Sequence, residues 1–206
     1  MKLIFAAPDS DDLIRLLKAW RFWLVSALAG ALISAAVYFI APPPYRAQAT
    51  VNVDFHLEQA WPKETDRQQF YYLERETRKL EEIAMSDAVL ESVAAQVGGV
   101  TVQQMRDGQL QLAQPGNGGW HFYADDKNAK RAALLASAWA QAFAEKVQAD
   151  VANPSSGLEQ YITADATQTQ NLTPHRSVRL SMYLLAGPLV FLAASAFFVL
   201  FFDWKK

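Results

Sequence analysis

Two long apolar runs bracket this chain, and regular polar–apolar patterns fill the space between them. The first run goes from Phe22 to about Ala41 and the second from Leu180 to Phe202. Neither contains a charged residue. A helix of about 20 apolar residues crosses a hydrocarbon layer of roughly 30 Å, so both runs read as membrane spans. Pro42, Pro43 and Pro44 end the first span, because proline lacks the N–H that a continuing helix needs. A period-two stretch follows. Tyr45, Ala47, Ala49, Val51, Val53 and Phe55 alternate with Arg46, Gln48, Thr50, Asn52 and Asp54, the pattern of a half-buried strand.

Further along, the period changes. Lys63 to about Met85 reads as a charged helix with Leu73, Leu80, Ile83 and Ala84 as a thin apolar stripe. Glu74 with Arg78, and Arg78 with Glu82, stand four apart and are expected to pair on its surface. Ser86 is placed to cap a second helix, which Gly98 and Gly99 end. A short helical turn is expected over Val102 to Arg106. Gln109–Gln114 and Trp120–Ala124 read as strands joined by the turn signal Pro115 to Gly119. Asp125 or Asp126 is expected to cap a long helix reaching about Asp150, with Ala132, Leu135, Ala136, Trp139, Phe143 and Val147 on one face. Leu158 to Thr167 reads as a last strand with Ile162, Ala164 and Ala166 on one side. The order strand, helices, strand, strand, helix, strand is the split βαβ plan of a ferredoxin-like domain.

Charge orients the spans. Arg15, Lys18 and Arg21 precede the first, and Lys205 and Lys206 follow the second; Arg46, Arg176 and Arg179 lie on the other side. Positive charge near a span stays cytoplasmic, so both termini are expected there and residues 42–179 across the membrane. Trp20, Trp23, Tyr38, Tyr183 and Trp204 bracket the spans at headgroup level. A short helix from Pro8 to Trp20 is expected to lie along the inner face. There is no cysteine, which excludes a zinc–thiolate site and a disulfide framework. A net charge of −2 implies no nucleic-acid partner.

Pro44-Tyr45-Arg46-Ala47-Gln48-Ala49-Thr50-Val51-Asn52-Val53 resembles the opening strand of the polysaccharide co-polymerases, the Wzz-type chain-length determinants. Its motif positions here are Pro44, Tyr45, Ala47, Ala49, Val51 and Val53. The lead Asp12-Leu13-Ile14-Arg15-Leu16-Leu17, the helix Ala133-Leu134-Leu135-Ala136-Ser137-Ala138-Trp139, and Tyr161-Ile162-Thr163-Ala164-Asp165-Ala166 followed by Pro174 are similar to further segments of that family. The chain differs in having little room for the long projecting helical arm of many members, and in carrying only Pro174 before the second span. The sequence contains no Gly-x-x-x-x-Gly-Lys-Ser/Thr loop, so the kinase of one subset is expected to be absent.

Candidate chemistry is sparse. His56, His121 and His175 lie on different elements without metal-ligand spacing. Glu74, Glu76, Glu81 and Glu82 read as a solvated face. Glu74, Arg75, Arg78 and Glu82 are also candidates for charge pairing between subunits of a closed ring. Trp61, Tyr71, Tyr72, Trp120 and Tyr123 are candidates for stacking on sugar rings, or for core and interface packing. Ser26, Gly30 and Ser34 recur every fourth residue, as do Ala27, Ala31 and Ala35. Small residues at that spacing let helices approach closely, against the second span near Gly187, Pro188, Ala193 and Ala194 or against a neighbour. No nucleophile–base set or dinucleotide fingerprint is present, so neither enzymatic activity nor a cofactor is expected.

The expected organisation is α+β. A cytoplasmic amphipathic segment (1–21) and a first span (22–41) lead to a periplasmic ferredoxin-like βαββαβ domain (42–179), a second span (180–202) and a cytoplasmic tail (203–206). The resemblance implies a bacterial inner-membrane protein that controls chain length or assists export of a surface polysaccharide. It would act as a ring-like homo-oligomer, with membrane lipids, a polymerase and the growing glycan as partners. The alternatives are an accessory subunit of another membrane complex and a two-span sensor.

Overall fold

The computed structural model describes residue 14 and residues 18–60, 66–114 and 119–201. The chain divides into two compact units, one of residues before Pro44 and after Ser177, the other Pro44–Ser177. Most of the expected helix over Pro8 to Trp20, and the turn tip Pro115 to Gly118, lie outside the described residues.

The first unit consists of two helices, α1 (Trp20–Ile40) and, at the far end of the chain, α7 (Leu180–Phe201). Both are long and apolar enough to cross a membrane, and almost none of either is buried. Leu24, Leu28, Leu32, Ile40, Leu185 and Leu189 are all exposed. A core helix of a water-soluble domain would hide such side chains, because leaving each in water costs about 1.5–3 kcal/mol.

The second unit is a sheet covered by helices. Its elements in chain order are β1 (Tyr45–Asp54), α2 (Leu57–Ala60), α3 (Asp66–Ala84), α4 (Asp87–Val97), α5 (Val102–Gln104), β2 (Leu110–Ala113), β3 (Gly119–Asp126), α6 (Ala129–Val151), β4 (Thr163–Gln168) and β5 (His175–Arg176). Every pairing is antiparallel, and the strand order is β2-β3-β1-β4 with β5 added beside β1. Helix α6 packs on β1, β3 and β4, and α3 and α4 pack on α6. Alanines at 47, 49, 132, 136 and 140 are fully buried, and their small side chains let α6 approach the sheet closely. Trp139, Phe122 and Phe143 fill the centre, with the Trp139 and Phe122 rings edge to face at 4.7 Å.

Several local expectations are corrected by the structure. Neither Asp125 nor Asp126 caps α6; the cap is Asn128, whose side-chain oxygen accepts from the Lys130 and Arg131 N–H groups. The last strand begins at Thr163 rather than Leu158, because a turn in which the Ile162 N–H donates to the Glu159 carbonyl occupies that stretch. Ala166 stands opposite Val51, on the same side as Ala164 opposite Val53, but it is exposed; the register shift follows it, between Thr50 and Val51. Strand β5 was not expected from the sequence. Ser86 does cap α4, accepting from the Val89 N–H at 3.4 Å, and Gly98 at φ +71° ends it.

Candidate functional site

Helix periodicity brings the small residues of α1 to one contact. Phe22 meets Phe198, Ser26 meets Ser195, Gly30 meets Gly187 and Phe191, Ser34 meets Gly187, and Tyr38 meets Tyr183, so the helices run antiparallel. A Cβ added to Gly30 would lie 2.7 Å from the Gly187 carbonyl oxygen, so glycine is required for this approach. Ser26 and Ser195 are both buried, with their hydroxyl oxygens 2.6 Å apart. Ser195 also lies 2.7 Å from the Phe191 carbonyl oxygen, so its one proton can serve that carbonyl while it accepts from Ser26. Such an interhelical bond contributes on the order of 1 kcal/mol. Pro188 is half-buried beside Gly187 within α7. Ala193 and Ala194 are exposed and lie off the contact; the second helix meets the first through Gly187, Phe191 and Ser195. Ser195 was missed, although it continues the four-residue spacing from Gly187 and Phe191.

The opening-strand motif lies at the centre of the sheet. Ala47, Ala49 and Val51 are fully buried and Val53 nearly so, all facing α6. Tyr45 is half-buried, with the Arg176 guanidinium 3.8 Å from its ring centroid. Tyr45 pairs with Arg176 across β1 and β5, and the Pro44 carbonyl accepts the Ser177 N–H at 2.9 Å. The first and last strands of the unit are thus zipped together where the chain enters and leaves it.

The charged helix α3 differs from its expectation. Arg78 reaches Glu74 at 2.5 Å, but among the described residues it makes no pair with Glu82. Glu76 is not on a solvated face: it is fully buried. One of its carboxylate oxygens accepts from Arg75 Nε at 2.7 Å and from Lys79 Nζ at 2.8 Å. Arg75 also reaches Glu159 at 3.2 Å, and Lys79 donates to the Gly157 carbonyl. These bonds pin α3 to the loop before β4. The sequence held a signal for this, since Glu76 falls between Tyr72 and Leu80 at four-residue spacing, on the inward stripe.

The aromatic candidates separate. Trp120 is buried and stacked on Phe143 with ring centroids 5.6 Å apart, and Tyr72 is buried too, so neither offers a face to sugar. Both sit on the inward side of their elements. Tyr71 is exposed, next to the exposed Phe70. Trp61 lies outside the described residues. Tyr123 is half-buried on the sheet face opposite the helices.

Burial, reinforced by the charges of Glu159 and Glu76 and opposed by Arg75, pushes the Tyr72 phenol up to about 12. An unfolded tyrosine ionises near 10. Between pH 10 and 12 the unfolded chain therefore loses this proton while the folded chain keeps it, so stability falls as pH rises through that window. Below pH 10 the group contributes nothing pH-dependent. Alkaline unfolding curves should be shallower for Tyr72→Phe than for the wild-type chain; identical curves would refute the assignment.

Three further clusters are structural. Arg46 grips Asp125 across β1 and β3 through two bonds of 2.8 and 2.6 Å, which raises the Arg46 pKa. Asp126 is buried and fully bonded, to Arg131 Nε, Gln109 Nε2 and the Asn128 N–H. His56 closes β1 at φ +42°, its ring bonded to Glu58 and Thr163. Among the described residues, no three His, Cys, Asp or Glu side chains converge as metal ligands. No protein-family model matches the sequence, and no curated protein matches it.

Proposed function

We propose that this chain is a short polysaccharide co-polymerase of the bacterial inner membrane. On this reading the helix pair α1 and α7 spans the bilayer with both termini cytoplasmic. The α/β unit is a periplasmic ferredoxin-like domain, for which the antiparallel order β2-β3-β1-β4 is the supporting feature. Copies of the chain assemble into a ring, using the exposed charges of α3 at Glu74, Arg75, Arg78 and Glu82. The assembly sets the length, or assists the export, of a surface glycan made by a separate polymerase, and acts as a scaffold without bond-making residues.

One observation carries this reading. A strand with the co-polymerase alternation, Tyr45 to Val53, follows the first apolar helix directly and is zipped at its foot to the strand that leads to the second.

The test is the size distribution of surface polysaccharide on a gel, comparing a deletion strain with its parent. A lost or shifted length mode that the intact gene restores is the expected result. An unchanged profile would reject length control and favour an accessory subunit of another membrane complex. The helices between β1 and β2 suit that second reading, since among the described residues the longest, α3, has 19 residues.

A further inference from the structure

We propose that the open face of the sheet is a binding site for a neutral glycan chain. The inference rests on the functional reading above for the kind of polymer, and on the face itself for the site.

Alternation along β1, β2 and β3 turns every second side chain away from α6. Register then aligns them in rows. Gln111 of β2 stands opposite Tyr123 of β3, which stands opposite Gln48 of β1. The next row holds His121 and Thr50, and the next includes Asn52, opposite Asp165 of β4. Adjacent strands lie about 4.8 Å apart and same-face neighbours about 6.8 Å apart, so the Gln111–Tyr123–Gln48 row spans about 10 Å. That is a flat patch the size of a few sugar rings.

The chemistry of the patch selects the occupant. A primary amide offers a donor and an acceptor side by side, which matches a pair of neighbouring hydroxyls. Gln48, Asn52 and Gln111 make no side-chain hydrogen bond to other described residues, so their amides are available. Tyr123 between the two glutamines supplies an apolar ring for the C–H face of a sugar. The ring is held in place before any ligand arrives. His121 Nδ1 lies 3.2 Å from its hydroxyl, and the Arg46 guanidinium, itself gripped by Asp125, lies 5.7 Å from its centroid. A side chain already ordered loses less freedom on binding.

Other occupants fit less well. Arg46 and Asp125 beside the patch neutralise each other and Asp165 adds a negative charge, so nothing attracts a polyanion. The outward positions of β1, β2 and β3 carry no large aliphatic side chain, whereas the centre of a protein interface is apolar. A hydroxyl-rich neutral chain needs neither.

The experiment uses the full chain in detergent micelles and beads carrying polysaccharide extracted from the surface of the source cells. The wild-type chain should be retained. Retention should fall at least about tenfold for Gln48→Ala/Gln111→Ala and for Tyr123→Ala. It should be unchanged for Leu134→Ala, an exposed position on α6. Lack of retention of the wild type, or equal retention of every variant, overturns the assignment. If the face variants alter particle size while retention stays constant, the face is a contact between copies and the glycan assignment falls. Complementation separates this from the functional reading. A gel profile that does not depend on the gene defeats the functional reading alone. A normal profile restored by Gln48→Ala/Gln111→Ala, with bead retention also normal, defeats only the face.

Discussion

Trp139→Ala should be the most damaging single change in the α/β unit, lowering stability by about 3–5 kcal/mol. Trp139 is fully buried, packed edge to face on Phe122, at the point where α6 covers the sheet. Two losses add in this variant. The first is the volume of an indole at the centre of the core, which neighbouring alanines are too small to refill. The second is a hydrogen bond. Trp139 Nε1 donates to the Ala84 carbonyl at 2.7 Å, one of the last carbonyls of α3, which has no helical partner of its own. Ala84 is fully buried, so water does not replace the donor. Trp139→Phe isolates this second loss, because it keeps most of the ring volume and orphans the carbonyl, at about 1–3 kcal/mol.

Thermal unfolding of the full chain in detergent, followed by circular dichroism, reads the difference. For a unit of this size Trp139→Ala should lower the melting temperature by roughly 10 °C or more, with Trp139→Phe in between. Leu134→Ala, exposed on the other side of the same helix, should stay within about 0.5 kcal/mol of wild type. Equal effects at 134 and 139 would show that the core is not where Trp139 places it.

The second large effect is expected in the helix pair. Gly187→Leu should separate α1 from α7. A Cβ at Gly187 would collide with the Gly30 carbonyl oxygen and would lie 2.5 Å from Ser34 Oγ. One of these neighbours is backbone, so the clash is relieved only by moving a helix. Overpacking of this kind costs about 1–3 kcal/mol. A disulfide reporter makes the separation visible, because the chain has no cysteine of its own. Ser26→Cys with Ser195→Cys replaces two hydroxyls 2.6 Å apart and should crosslink readily. Adding Gly187→Leu should reduce crosslinking roughly tenfold. Adding Leu32→Ala, on the exposed side of α1, should not. Crosslinking that survives Gly187→Leu would mean that the helices do not touch through their glycines.

The two effects share a physical origin. Each contact is close because small residues face it, alanines between α6 and β1 and glycines between α1 and α7. Close contacts respond steeply to volume, in one case to a side chain removed and in the other to one added.

Much of this was determined by the sequence alone, because it depends on near neighbours in the chain. Uncharged runs of helical length marked α1 and α7, period-two alternation marked β1 and its buried side, and the Trp139 stripe marked the inner face of α6. The Ser86 cap and the glycine stop after α4 were equally legible, since a cap and its N–H are three residues apart. Four-residue spacing singled out Ser26, Gly30 and Ser34, but not which residues would meet them. That depended on how α7 rotates about its axis, which brings Ser195 inward and leaves Ala193 and Ala194 out. Tertiary structure also decided the fate of the polar residues. Glu76 shares the stripe of Tyr72 and Leu80, but it took the packing of α3 on the loop before β4 to bury its carboxylate and supply its partners. Trp120 and Tyr123 are both aromatic and three positions apart, and only the side of the sheet that α6 covers makes one core and the other surface. The row Gln111–Tyr123–Gln48 exists in no stretch of sequence at all. Its members come from three strands up to 75 positions apart, and strand register alone, set by long-range backbone hydrogen bonds, places them side by side.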